Sequence, residues 1–200
     1  MVIEKSPLLI RGFSSYTFNA EMVTEKEHTE IYIARPVAVL MRRQAFWVWG
    51  GFSLFVLAWV SLLALAPVFL AAGYESVSAP IYKFCSYICH QLPDRSFHLA
   101  GHQLGVCSRC FGVYSGLFLG FAVYPLWRKV DDIEPLPRIW LFLAMVPIGI
   151  DWGLTIFGIW ENTHLSRLIT GVILGFACAT YIIPALVEIF RYLLLKRRRA

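Results

Sequence analysis

The sequence predicts an all-α, polytopic membrane protein of four transmembrane helices with both termini cytoplasmic. Three observations carry that prediction. Apolar residues make up 58% of the 200 residues and charged residues only 16%, against about 45–50% and about 25% in soluble domains. The mean hydropathy is +0.62. The charges that exist stand far apart: none occurs between Arg43 and Glu75, between Arg109 and Arg128, or between Arg167 and Glu188, and Asp151 alone interrupts the stretch from Arg138 to Glu161. Finally, Lys and Arg alternate between rich and poor loops. This composition excludes a disordered chain, a collagen-like chain and a soluble globular enzyme. The net charge of +5 comes from a tail, Arg191 and Lys196 to Arg199, rather than from a surface suited to nucleic acid.

Residues 1–44 read as a cytoplasmic, partly disordered lead-in. The polar and acidic stretch Glu21–Glu30 and the lack of a small-residue cleavage site argue against a signal peptide. Within it, Ile31–Met41 could lie along a membrane surface. Residues 45–200 form the four-span domain. A spanning helix needs about 20 mostly apolar residues, and the runs near 46–72, 107–127, 139–158 and 168–190 supply them. Trp47, Trp49, Trp127, Trp140, Trp160 and Tyr192 stand near the span ends, where aromatic belts meet the headgroups.

Orientation follows from the basic residues. Arg35, Arg42 and Arg43 precede the first span, Arg128, Lys129 and Arg138 separate the second and third, and Lys196–Arg199 follow the fourth. The positive-inside rule then places both termini in the cytoplasm. The loops around 74–106 and 159–167 face outward, and the expected location is the plasma (inner) membrane, multi-pass. Gly112, Gly116 and Gly120 in the second span, and Gly171 and Gly175 in the fourth, repeat every four residues. Such spacing lets two backbones approach closely, so these two helices are expected to pack on matching faces. Pro147 and Pro184 are expected to kink the third and fourth spans.

The chemistry is concentrated in the first outward loop. Cys85, Cys89, Cys107 and Cys110, four of five cysteines, fall within residues 85–110 together with His90, His98 and His102. Cys107-Ser-Arg-Cys110 is a C-x-x-C at the mouth of the second span, suited to zinc or to thiol redox chemistry. Upstream, Ile81, Cys85, Ile88, Cys89 and Leu92 share one face of a helix. Helical Cys85 and Cys89 would have Cβ atoms about 5–6 Å apart, whereas a disulfide wants about 3.8 Å. Those two would grip a metal or pair with Cys107 or Cys110. His98 and His102 stand at i and i+4, a ligand spacing on a helix, though Gly101 weakens that helix. Two structural disulfides are the plain alternative. Cys178, deep in the fourth span, reads as a packing residue.

Charge supplies the second site. Arg109 continues the glycine stripe of the second span and Arg167 that of the fourth, so facing stripes bring two guanidinium groups together. That is costly without an anion. Asp151, inside the third span, and Glu161 are the internal candidates, and an anionic lipid or phosphate compound is the external one. Asp151, Arg109 and Arg167 are therefore the candidate catalytic residues, with Arg95 nearby.

Cys89-His-Gln-Leu-Pro-Asp-Arg-Ser-Phe97, Gly101-His-Gln and Val106-Cys-Ser-Arg-Cys-Phe-Gly-Val-Tyr-Ser-Gly116 resemble a known family, the prokaryotic membrane proteins of domain of unknown function 2085. Asp151-Trp-Gly-Leu-Thr155 and Glu161-Asn-Thr-His-Leu-Ser-Arg-Leu-Ile-Thr-Gly171 resemble its second signature. The resemblance covers roughly residues 80–190 and implies a multi-span membrane protein without naming an activity. An architectural likeness also exists to quinone-reducing, disulfide-generating membrane oxidoreductases, which share four spans and an outward C-x-x-C. Here the second cysteine pair lies upstream in the same loop, a departure from that pattern.

The expected function is an integral membrane protein with a zinc site at the outer face, built from Cys89, Cys107 and Cys110 with a fourth ligand from Cys85, His90 or His102. It would bind or act on an anionic lipid or phosphate compound. The alternatives are a membrane thiol-disulfide oxidoreductase and a non-catalytic assembly or transport subunit. Partners are membrane lipids and not nucleic acid; no pattern names a bond to be broken or sets an oligomeric state.

Overall fold

The computed structural model describes residues 35–199, with side chains from Val39 to Lys196. Five α-helices follow in order: α1 (Arg35–Ala71), α2 (Glu75–Ser86), α3 (Ser108–Trp127), α4 (Ile139–Ile156) and α5 (His164–Arg199). A 3-10 turn at Pro93–Arg95 and a hairpin of β1 (His98–Leu99) and β2 (His102–Gln103) lie between α2 and α3. The chain divides into compact units at 1–40 and 41–200, and the bundle described here belongs to the second. The lead-in reading for residues 1–34 falls outside the described residues; residues 35–44 are the opening turns of α1.

Four helices are long and apolar enough to cross a membrane, with candidate spans Val39–Ala71, Ser108–Trp127, Ile139–Ile156 and His164–Lys196. The first and fourth exceed the lengths expected from the charge gaps, because a helix does not stop where its apolar run stops. Exposed apolar side chains are the rule on these helices. Only 6% of the apolar window of α4 is buried within the protein, and Trp140, Phe142, Ile150 and Trp152 all face outward from it. In hydrocarbon such a face has no reason to turn inward.

What holds the bundle is close backbone packing of α3 on α5. A Cβ built on Gly112 or Gly116 would collide with the backbone of Leu168 or Val172, and one on Gly175 with Val113. The two glycine stripes therefore do face each other, as their spacing predicts. Larger side chains join α1 to this pair: Trp49 donates its indole N–H to Phe121 O at 2.8 Å. Ala45, Val48, Phe121, Tyr124, Ile183 and Val187 form a buried cluster around that bond.

Candidate metal centre

The site grows from the segment between α2 and α3. Helix α2 ends at Ser86, yet the amide of Cys89 still donates to Cys85 O at 2.9 Å. One further helical turn thus separates these two cysteines. The chain then reverses at Gln91, whose φ is +48°. A polar net fastens the return. Gln91 Nε2 donates to Tyr82 O at 3.0 Å and to Gly105 O at 2.8 Å, and Gln103 Nε2 donates to Gln91 O at 2.6 Å. The Tyr82 hydroxyl donates to Gln103 O. This net clamps residues 89–91 against residues 103–107, which brings Cys89 to the start of α3.

There, the sulfurs of Cys89, Cys107 and Cys110 all lie within 4.8 Å of one another. Cys107 precedes the first residue of α3, and its amide donates to Cys89 Sγ at 3.2 Å. The triangle is half buried, with Leu63, Val106, Phe111 and Tyr114 packed about it. None of the five cysteines is disulfide-bonded. The Cys107 thiol, just outside the span, is lowered to about 5, chiefly by a hydrogen bond from the Cys110 thiol. Cys85, fully buried, is pushed up by that burial and by its neighbour Cys89. Cys85 stays outside the triangle and fills the space beside Gly105, where a Cβ would lie 3.3 Å from its sulfur.

The histidines divide. His90 is exposed and lines a cavity of about 300 Å³ together with Cys89, Cys107, Cys110 and Arg95. The structure does not bring His98 and His102 together as a helical pair. They stand on a hairpin in which His98 faces Gln103 and Leu99 faces His102. Ala100 and Gly101 at its tip have φ of +54° and +81°, the two-residue turn that suits strand twist. Alternate residues of a strand point to opposite faces, so these two imidazoles diverge. The Gly101 that weakens a helix is what the hairpin requires.

The arginines meet behind the triangle. Arg109 pairs with Asp151, whose side chain is 9% exposed. Asn162 Nδ2 donates to the same carboxylate oxygen at 2.8 Å, and Arg167 Nε donates to Asn162 Oδ1 at 2.7 Å. One carboxylate thus serves two guanidinium groups, Arg109 directly and Arg167 through the Asn162 amide. Glu161, the other candidate partner, is exposed. Arg109 Nε is buried without a hydrogen-bond partner among the described residues. A cavity of about 490 Å³ is lined by Arg95, Arg109 and Arg167 together with Cys107 and Cys110.

Two participants escaped the sequence reading. Asn162, 9% exposed, links Asp151 to Arg167. His164 Nδ1 is hydrogen-bonded to Ser108 Oγ at 2.9 Å and its ring packs on Phe97, tying the start of α5 to the start of α3. The hint was positional. Asn162 and His164 precede Arg167 by five and three residues, in the polar stretch Glu161–Arg167 that opens a long apolar helix.

The comparisons with known proteins agree with this architecture. The family described as "Predicted membrane protein (DUF2085)" matches residues 89–181, a stretch that holds the sulfur triangle and the arginine network together. An uncharacterized protein of Methanocaldococcus jannaschii is 39% identical over 140 residues, covering 67% of this chain and 88% of that one. An uncharacterized protein of Methanothermobacter thermautotrophicus is 33% identical over 109 residues, covering 54% and 92%. No solved structure matches.

Proposed function

The chain belongs to the DUF2085 family of predicted membrane proteins, and we propose that its working part is a zinc centre at the outer face of the plasma membrane. Beside it, the arginine cavity takes the phosphate of an anionic lipid or of a small phosphate compound. One observation carries this reading: Cys107 and Cys110 belong both to the sulfur triangle and to the wall of the arginine-lined cavity. Metal chemistry and anion recognition therefore share a boundary.

The donor set fits the ion. Tetrahedral sulfurs about 2.3 Å from zinc stand roughly 3.8 Å apart, so a triangle with sides under 4.8 Å closes by small side-chain movements. Three thiolates this close repel one another, and a divalent cation removes that repulsion. The amide of Cys107 on Cys89 Sγ orients one sulfur from outside the set. His90, which lines one cavity with all three cysteines, would be the candidate fourth ligand. A bound zinc ion would supply Lewis acidity or an activated water to a phosphate held in the arginine-lined cavity.

The chain's own residues do the rest. Arg95, Arg109 and Arg167 present planar forks matched to phosphate oxygens. Three guanidinium groups line the cavity and one carboxylate, Asp151, pairs with Arg109, so the arginines keep an excess of positive charge that an anion relieves. Asp151 and Asn162 hold Arg109 and Arg167 in one geometry before any ligand arrives, which lowers the ordering cost of binding.

Metal analysis of protein purified under reducing conditions tests the reading. About one zinc per chain is expected, with loss on Cys107→Ser or Cys89→Ser and retention on Cys178→Ser. Metal-free protein whose Cys107 and Cys110 cycle between thiol and disulfide in cells overturns it in favour of a thiol oxidoreductase.

A further inference from the structure

At the other end of α3, some 30 Å away by the rise of a 20-residue helix, stands a second basic site. We infer that the pocket between α1 and the end of α3 binds a phosphate anion, supplied by the headgroup of an anionic lipid. The pocket has a volume of about 260 Å³, and its wall contains Arg42, Arg128 and Lys129 against the single acid Asp131. It is independent of the cysteine centre and shares no residue with it.

The three cations are differently placed. Arg128 is anchored: its Nε and Nη2 donate to Asp132 Oδ2 at 3.1 and 3.0 Å, and Nη2 also donates to Glu134 O. Its Nη1 is buried and has no hydrogen-bond partner among the described residues. Arg128 itself lines the pocket, so its guanidinium fork is already held in place beside an incoming anion. Arg42 lies over the ring of Phe46, 5.8 Å from its centroid, and Lys129 is exposed. Neither forms an ion pair among the described residues. Both line the pocket and could close on an anion there.

The other wall argues for a lipid as the source. Phe46, Leu126 and Trp127 line the same pocket, and Leu126 and Trp127 are 83% and 49% exposed. These are the last residues of the span Ser108–Trp127, at the depth where tryptophan marks the headgroup boundary. A headgroup phosphate would sit among the cations while its first acyl carbons lie on Leu126 and Trp127. Basic pockets between spanning helices at this depth suit anionic headgroups. A free phosphate ion would use the cations and leave the apolar wall idle.

Native mass spectrometry on the full chain in detergent tests this, with phosphatidylglycerol, net-neutral phosphatidylcholine and inorganic phosphate as probes. Phosphatidylglycerol is expected to bind preferentially. The double variant Arg42→Gln/Lys129→Gln should weaken it about thirtyfold at an unchanged melting temperature, from the usual worth of two cations at an anionic headgroup. Should the double variant fail to fold, Lys129→Gln alone should weaken it about fivefold. Millimolar inorganic phosphate that displaces the lipid supports the anion site with a free source. Failure to displace it supports the headgroup. Equal binding of the two lipids, or wild-type binding by the variants, overturns the inference.

Discussion

Replacing Gly171 by alanine tests how the bundle holds its site. An ideal Cβ at Gly171 would lie 2.5 Å from Arg109 O and 3.0 Å from Val113 N. Both are backbone atoms, so no side chain can rotate out of the way. Ordinary contact begins near 3.4 Å, and 3.4 − 2.5 = 0.9 Å is the retreat required of the first turn of α3. Forced separation of a packed interface costs about 1–3 kcal/mol. Alanine also favours a helix by about 1 kcal/mol over glycine, which would mask part of that cost. Gly149→Ala removes the ambiguity, because nothing lies within 4 Å of its added Cβ and it carries the same helical gain. The difference between the two variants isolates the clash. At about 2–4 °C per kcal/mol for a chain of this length, Gly171→Ala should melt roughly 2–12 °C below Gly149→Ala. Circular dichroism in detergent measures it. The displaced turn carries Arg109 and Cys110, so metal retention should fall with it. If the two variants melt within about 1 °C of each other, a difference too small to carry a packing clash, the backbone contact is not what holds α3 to α5.

Two other expectations follow from the site. Asp151→Asn leaves Arg109 facing no carboxylate and its donors less well met, which should cost about 1–3 kcal/mol, read by thermal unfolding. The same change raises the positive excess of the cavity, so inorganic phosphate should bind several-fold more tightly and restore part of the lost stability; equal destabilisation with no gain in phosphate affinity would leave Asp151 a purely structural counterion. In metal-stripped protein, Cys107 should react with iodoacetamide as a thiolate from about pH 5 upward, well ahead of the buried Cys85. Cys110→Ala removes the hydrogen bond that lowers Cys107, so its titration should move up toward the ordinary thiol value near 8.5; an unchanged profile would refute that cause.

The spans were readable because a bilayer imposes a length and a polarity on any helix that crosses it. The glycine stripes were readable for a similar reason: their period of four is the helix's own, and both stripes stand on helices. The triangle was readable in part. Cys107 and Cys110 are close by any local geometry, but Cys89 reaches them through bonds from Gln91 and Gln103 to backbone oxygens, and no spacing rule encodes such a clamp. The histidine pair failed on local grounds, since i, i+4 means proximity only on a helix. Ala100 and Gly101 turn the chain there instead. Asn162 went unread because an amide has no charge to mark it. Its role exists only once α4 and α5 set Asp151 and Arg167 too far apart to meet directly.

The first turn of α3 is where the two chemistries are joined, and helix geometry explains how one motif serves both. Successive residues turn by about 100°. Cys107 and Cys110 therefore point toward the loop and α1, with Phe111 and Tyr114 continuing that face against Leu63. Arg109 falls on the next face, in line with Gly112 and Gly116, which press on α5. The third residue of Cys-Ser-Arg-Cys thus delivers its guanidinium to Asp151 while the first and fourth deliver sulfur to the triangle. Ser108 takes a further direction and bonds His164 at the head of α5. The four residues are committed to three partners, the triangle, Asp151 and His164, so the turn cannot rotate to suit one without breaking another. A ligand that pulls on Arg109 from the cavity would accordingly be felt at Cys107 and Cys110, across a single turn of rigid helix.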